Sequence, residues 1–277
     1  MGKPSIADVR ALKSKGLNSF VAVSAVNYWQ ALCAAEAGVD VLNISDVAVS
    51  RLLLGRLAGF DYSTTMEEMI IATKAVKQGS GDCLVIPSIP YGYYNSPAES
   101  VAAATRIMKE TGADALHMED AHADCVKAVC DAGWPVLAAA GMTKRYFTST
   151  GSTKIRGRTQ EDAQELLDYC VAMEKAGAFS ITLEGIPAQL SKIITEKLGI
   201  CTCGIGAGKY CNGQFLVMDD VLGISDFKPK YVKHFADLRN YMINGVKAFV
   251  DDVASGAFPD DEHSYNLKDY SYLDNVK

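Results

Sequence analysis

Asp46, Ser88, Glu119, Asp120 and Glu184 share one context in the sequence: each stands at the end of a short apolar run. Polar groups that end buried strands are positioned to do chemistry. Asp46 and Glu119 together would make a hard-cation site of the magnesium type. Mg2+ takes few protein ligands and keeps several waters, which leaves room for a bidentate 2-oxo acid. The plainer role of either acid is to cap the next helix. Glu184 comes after Ile-Thr-Leu and before Gly-Ile-Pro, so it ends an apolar strand. Partial desolvation there raises a carboxyl pKa toward that of a useful general base. Its plainer role is to face the N-terminus of a helix starting at Pro187.

His117 lies two residues before Glu119, so the two side chains point the same way on a strand. His122 falls just after that strand, whereas His234 and His263 read as structural or solvated. The glycines of Gly204-Ile-Gly-Ala-Gly208 suit either a phosphate cradle or a tight turn that clears space. Eight cysteines are scattered through the chain; Cys201, Cys203 and Cys211 come close together but without a C-x-x-C spacing, and they read as buried thiols.

The elements that must position these groups alternate in type. Apolar runs at 19–25, 39–45, 82–88, 113–119, 135–140, 179–184, 201–208 and, most weakly, 213–221 read as strands. Helical stretches lie between most of them. Ser96-Pro97-Ala98-Glu99 is a helix start running to Gly112, and Thr159 with Glu161 and Asp162 opens another that ends near Gly177. Residues 141–158 read as a polar Gly/Thr-rich loop. Continuous rather than alternating apolar strands imply a parallel sheet covered on its outer face, and eight is the number at which such a sheet closes. The predicted fold is a single (β/α)8 TIM barrel over 1–277, with a C-terminal helical segment and tail from about 229. An open doubly wound sheet would carry a glycine fingerprint after its first strand, and Ser24-Ala-Val-Asn27 has none. In a barrel of this kind the catalytic groups are expected at the carboxyl ends of the strands.

A formal charge of −6 and the lack of basic clusters argue against nucleic acid as a partner. The start of the chain lacks a signal-peptide core and no stretch reads as a bilayer span, so the expectation is a cytoplasmic, reduced protein with no membrane contact.

The sequence resembles the ketopantoate hydroxymethyltransferase family, within the wider phosphoenolpyruvate mutase/isocitrate lyase group of barrels. The resemblance covers about residues 4–266. It rests on Leu183-Glu-Gly-Ile-Pro187, Gly204–Gly208 with Asn212-Gly-Gln-Phe-Leu-Val-Met218, Ser255-Gly-Ala-Phe-Pro-Asp-Asp-Glu-His-Ser264 and the loop Lys154-Ile-Arg-Gly-Arg158. It implies an enzyme that moves a one-carbon unit from 5,10-methylenetetrahydrofolate onto an enolised 2-oxo acid held on Mg2+. By position it implies Asp46 and Glu119 at the metal, Glu184 as the catalytic base, and Asp46, Val47, Ser88 and His117 against the substrate. It also implies a ring-based homo-oligomer, in which Glu262-His-Ser264 would serve an interface.

Departures cluster in the site. Ser88 stands where the family has a second metal-binding aspartate, Val47 replaces a serine, His117 a substrate-binding lysine and Ala139 a histidine. Asn27 occupies another usual aspartate position. Leu116-His-Met-Glu-Asp120 also resembles the metal strand of the wider group. A lyase, mutase or hydrolase acting on another 2-oxo acid, and a non-catalytic metabolite-binding member, therefore stand as alternatives. The tail beyond Asn266 has no counterpart in the resemblance.

Overall fold

The computed structural model describes residues 5–55, 62–226, 228–269 and 271–276. The described elements in chain order are α1 (Ile6–Ala11), β1 (Phe20–Ser24), α2 (Tyr28–Glu36), β2 (Val41–Ile44), α3 (Asp46–Ala48), α4 (Met66–Gly79), β3 (Leu84–Pro87), α5 (Pro97–Thr111) and β4 (Leu116–Glu119). They continue with α6 (Ala123–Asp131), β5 (Val136–Gly141), α7 (Lys144–Thr150), α8 (Gln160–Lys175), β6 (Ser180–Glu184), α9 (Ala188–Lys197), β7 (Cys201–Ile205), β8 (Gly213–Val217), α10 (Met218–Leu222) and α11 (Leu238–Ser255).

All eight strands pair in parallel, in the order β3-β2-β1-β8-β7-β6-β5-β4. The ring closes between β3 and β4 through a parallel bridge at Ser88 and His117, with the Ile89 N–H donating to the His117 carbonyl at 3.0 Å. The fold is a (β/α)8 barrel, as its apolar runs imply. Local signals set the helix ends. Ser96 caps α5 through the Glu99 N–H with Pro97 in the first turn, and Gly112 ends the helix in the left-handed region. Thr65 and Glu68 form a capping box on α4.

Inside the barrel, apolar side chains fill the lower layers, among them Phe20, Val41, Leu84, Leu137, Phe179 and Cys203. Toward the carboxyl ends the same inward files become polar or ionisable. Ile86 gives way to Ser88, His117 to Glu119 and Thr182 to Glu184. The floor is therefore dry and rigid, while the mouth collects ionisable groups.

Two differences from the sequence reading matter. Residues 144–150 form α7, inside the stretch read as loop. The eighth run ends as a strand at Val217 and turns directly into the short α10. In addition, Val21 on the outer face of β1 is 49% exposed, while Val23 on the same face packs with Ala31 and Ala34 of α2. The longest described helix, α11, carries Tyr241, Met242, Val246, Phe249 and Val250 exposed to solvent.

Gly141 shows how tightly the mouth is built. It closes β5 at φ +121°, paired with Glu184 on β6, and a Cβ there would overlap the Glu184 carbonyl. Gly141→Ala is expected to cost about 3 kcal/mol or more, because it adds strain at a positive φ to backbone overlap. Urea unfolding measures this; a loss below about 1 kcal/mol would contradict the assigned backbone geometry.

Candidate active site

The turn after β2 delivers Asp46. Ser45 caps α3 through the Ala48 N–H at 3.0 Å, so Asp46 is not the cap and its carboxylate is free to face the mouth. Asp46 is buried; Oδ1 accepts the Val47 N–H at 3.0 Å and Oδ2 the Tyr91 N–H at 3.1 Å. Val47 is half-buried beside it. Glu119 ends β4. Its Oε1 accepts the Lys144 N–H at 2.7 Å, and its carbonyl accepts the Tyr94 hydroxyl at 3.0 Å. Burial, with the Asp46 charge adding to it, pushes the Glu119 carboxyl above its usual range.

Ser88 and His117 are joined to each other, with Oγ and Nδ1 2.9 Å apart. His117 thus sits one layer below the carboxylates, and its Nε2 faces the barrel interior with no hydrogen-bond partner in the structure. Burial lowers its pKa to about 4, opposed by the Asp46 charge and assisted by Lys144. The ring is therefore neutral at neutral pH, and it brings no positive charge to a substrate carboxylate.

Glu184 stands at the end of β6. Its carbonyl accepts the Met142 N–H at 2.8 Å, which ties the turn after β5 to the base of the site. Its carboxyl is held well above the usual range by burial first, then by the charges of Glu119 and Asp120, with Lys144 pulling the other way. Tyr231, from the segment after α10, closes over this region. Burial and the Glu184 charge raise its pKa to about 12, so it is a neutral hydroxyl there.

The most consequential residue is one the sequence reading passed over. Lys144 is 1% exposed, and its ammonium is ion-paired with Asp46. Three contacts seat it: its own N–H on Glu119, the Met142 N–H on the Glu184 carbonyl, and the Thr143 hydroxyl donating to Asp120. Asp120, at φ +47°, points away from the mouth toward Arg145 and Tyr169. Burial and Glu119 raise its pKa to about 7. A signal for Lys144 did exist: it stands three residues past β5, where strand-end groups are expected. Reading 141–158 as loop hid it.

The glycine loop resolves toward packing. Gly206 lies at φ +65°, where a Cβ would crowd the Tyr231 ring, and at Gly208 a Cβ would overlap Ala188 at the start of α9. Arg156, in the loop after α7, pairs with Asp162 on α8 and donates its backbone N–H to the Gly185 carbonyl at 3.0 Å. Asn27 caps α2 through the Gln30 N–H, and Ala139 is buried in β5 beside Glu119. His122 precedes α6 outside the mouth, and His263 contacts Asp260 in the exposed tail.

A divalent ion finds a poor set of ligands in this arrangement. Lys144 pairs with the Asp46 carboxylate, Ser88 is engaged by His117, and among the described residues no three His, Cys, Asp or Glu side chains are grouped to hold a metal. Mg2+ asks for near-octahedral oxygen ligands.

The chain matches the ketopantoate hydroxymethyltransferase family across residues 3–261. It is 38% identical over 249 residues to the 3-methyl-2-oxobutanoate hydroxymethyltransferase of Clostridium beijerinckii, covering 88% of this chain and 90% of that one. The chain belongs to the ketopantoate hydroxymethyltransferase family. Among solved structures, its fold is similar to 2,3-dimethylmalate lyase, a member of the PEP mutase/isocitrate lyase superfamily (TM-score 0.59, 14% identity, covering 94% of this chain and 91% of that one). It is also similar to phosphonopyruvate hydrolase in complex with oxalate and Mg2+ (TM-score 0.60, 14% identity, covering 99% and 95%). The family assignment and the barrel agree.

The neutral state of His117 is open to direct measurement. Its ring should titrate near pH 4 in nitrogen-detected NMR, against 6.5 for a free imidazole. Since the folded pKa is depressed, the unfolded chain takes the proton first, and stability falls as pH drops from 6.5 toward 4. His117→Gln removes that part of the slope. A His117 midpoint at or above 6.5 would contradict the buried, uncharged assignment.

Proposed function

We propose that this protein enolises a small 2-oxo acid and transfers a one-carbon unit to it, with Glu184 as the base. The observation that carries this reading is the half-buried Glu184 carboxyl at the end of β6, held well above its usual range and facing the same mouth as Asp46, Glu119 and Lys144. A carboxylate so destabilised is a stronger base toward a weakly acidic C–H than one in water. Its anion takes the proton from C3 of the oxo acid. The C–H pair becomes the C2–C3 double bond, the carbonyl pair moves to the C2 oxygen, and C3 becomes the nucleophile. Membership of the family favours 3-methyl-2-oxobutanoate as the acid, and the sequence resemblance implies 5,10-methylenetetrahydrofolate as the one-carbon donor.

A second reading keeps the enolisation and changes the acid. The positions that depart from the family pattern, Val47, Ser88, His117 and Ala139, lie within or beside this site, and His117 is uncharged where a lysine is usual. That favours a different substrate over a lost reaction, because the base, Glu184, is retained.

The chain is also read as a homo-oligomer. The exposed apolar side chains of α11 and the exposed Val21 on β1 belong to the same polypeptide, and an assembly of copies would bury both. Light scattering on a sizing column is expected to give a multiple of the 29.8 kDa chain, and Val246→Asp to reduce it. A wild-type monomer would contradict this.

The test of function is proton exchange. In D2O with 3-methyl-2-oxobutanoate and no folate, the C3 proton signal should decay, faster at higher pH, since the base acts as its anion and its pKa is raised. Glu184→Gln should slow the decay by about 10²-fold or more. Exchange unaffected by Glu184→Gln would remove Glu184 from its role. Exchange only with another oxo acid favours the second reading. Adding methylenetetrahydrofolate then tests the transfer step.

A further inference from the structure

We propose that the ammonium of Lys144 takes the electrostatic place of a divalent cation, so that the site holds and polarises its oxo acid without a metal. This rests on the enolisation reading above. A single residue spans the two carboxylates that would otherwise share an ion: the Lys144 ammonium contacts Asp46, and its backbone N–H donates to Glu119. Beyond that ion pair its Nζ has no hydrogen-bond partner in the structure, although it is buried. An ammonium carries three donors, so N–H bonds remain to be aimed at a ligand.

The charge arithmetic is consistent. Asp46 and Glu119 with one ammonium sum to −1, the same as three carboxylates around a divalent ion. The serine at 88, where the family has an aspartate, removes one negative charge and the lysine removes one positive charge. The serine and the ammonium therefore compensate each other in charge, and Lys144 also acts on the remaining groups, since its charge is felt at Glu184 and His117.

In this arrangement the C2 carbonyl oxygen of the oxo acid accepts from the Lys144 ammonium. When Glu184 removes the C3 proton, the negative charge that develops on that oxygen meets a fixed positive charge in a buried site, where such stabilisation is strongest. An ammonium paired with a carboxylate has no free lone pair, so it acts by charge and not by forming an imine.

Manganese supplies the probe, read by electron paramagnetic resonance alongside the exchange assay. Mn2+ at about 1 mM should stay free with the wild-type protein, since metal binding would have to displace the ammonium. Exchange should persist in EDTA within about twofold, well under the 10²-fold loss that removing a charge stabiliser produces. Lys144→Ala should lose exchange by about 10²-fold without metal and bind Mn2+ about tenfold more tightly than wild type, with the binding removed by a further Asp46→Asn.

One Mn2+ held by the wild-type chain and released by Asp46→Asn would overturn the proposal. So would a borohydride-trapped adduct of the oxo acid on Lys144, seen by mass spectrometry. The wild-type metal measurement needs no variant to fold. If no oxo acid exchanges at all, the enolisation reading fails while the manganese result still decides whether Lys144 excludes a cation.

Discussion

One ammonium among several buried and half-buried carboxylates is the constraint on which this barrel mouth depends. Asp46, Glu119, Asp120 and Glu184 all end strands or begin the turns after them, and burial opposes ionisation of Glu119, Asp120 and Glu184. Lys144 is the cation placed inside this group, ion-paired with Asp46 and felt by Glu119 and Glu184. A buried charge without a partner is strongly destabilising, so neither the lysine nor the aspartate is tolerable there alone. The pairing leaves Glu184 outside the ion pair, and the surplus negative charge keeps its proton affinity high. The base strength of the site and the neutralisation of its carboxylates thus arise from the same arrangement.

The fold delivers that arrangement through the end of β5. Gly141 has no side chain to separate it from Glu184, and the Met142 N–H holds the Glu184 carbonyl. Thr143 gives its hydroxyl to Asp120, leaving the next residue to turn inward as the first of α7. Below this level the inward side chains are mostly apolar, with uncharged Asn43, Ser180 and Thr182 among them, and His117 with Ser88 forms a neutral pair rather than a charged one. The barrel floor therefore contributes rigidity, and the chemistry is confined to the mouth.

Much of this is legible in the sequence because apolar runs and helix signals are local. Eight parallel strands are implied by continuous apolar segments, and Ser96-Pro97 or Thr159 mark helix starts by capping chemistry alone. Asp46, Glu119 and Glu184 stand out in the sequence because each closes an apolar run. Lys144 does not stand out, and the reason is physical: a lysine in a polar Gly/Thr-rich stretch normally faces water, and only the tertiary pairing with Asp46 makes burial tolerable. The state of His117 is likewise illegible, since burial and not residue type sets its charge. The glycines of 204–208 admit two readings because spacing does not say which neighbour needs the room; Tyr231 and Ala188 supply the answer.

A crystal structure with 3-methyl-2-oxobutanoate and MnCl2, with data collected at the manganese edge, tests the central claim most directly. The account predicts the keto oxygen on the Lys144 ammonium, C3 facing the Glu184 carboxylate, and no anomalous peak between Asp46 and Glu119. A manganese peak bound to Asp46, with Lys144 swung out of the mouth and the oxo acid chelated on the ion, would contradict it.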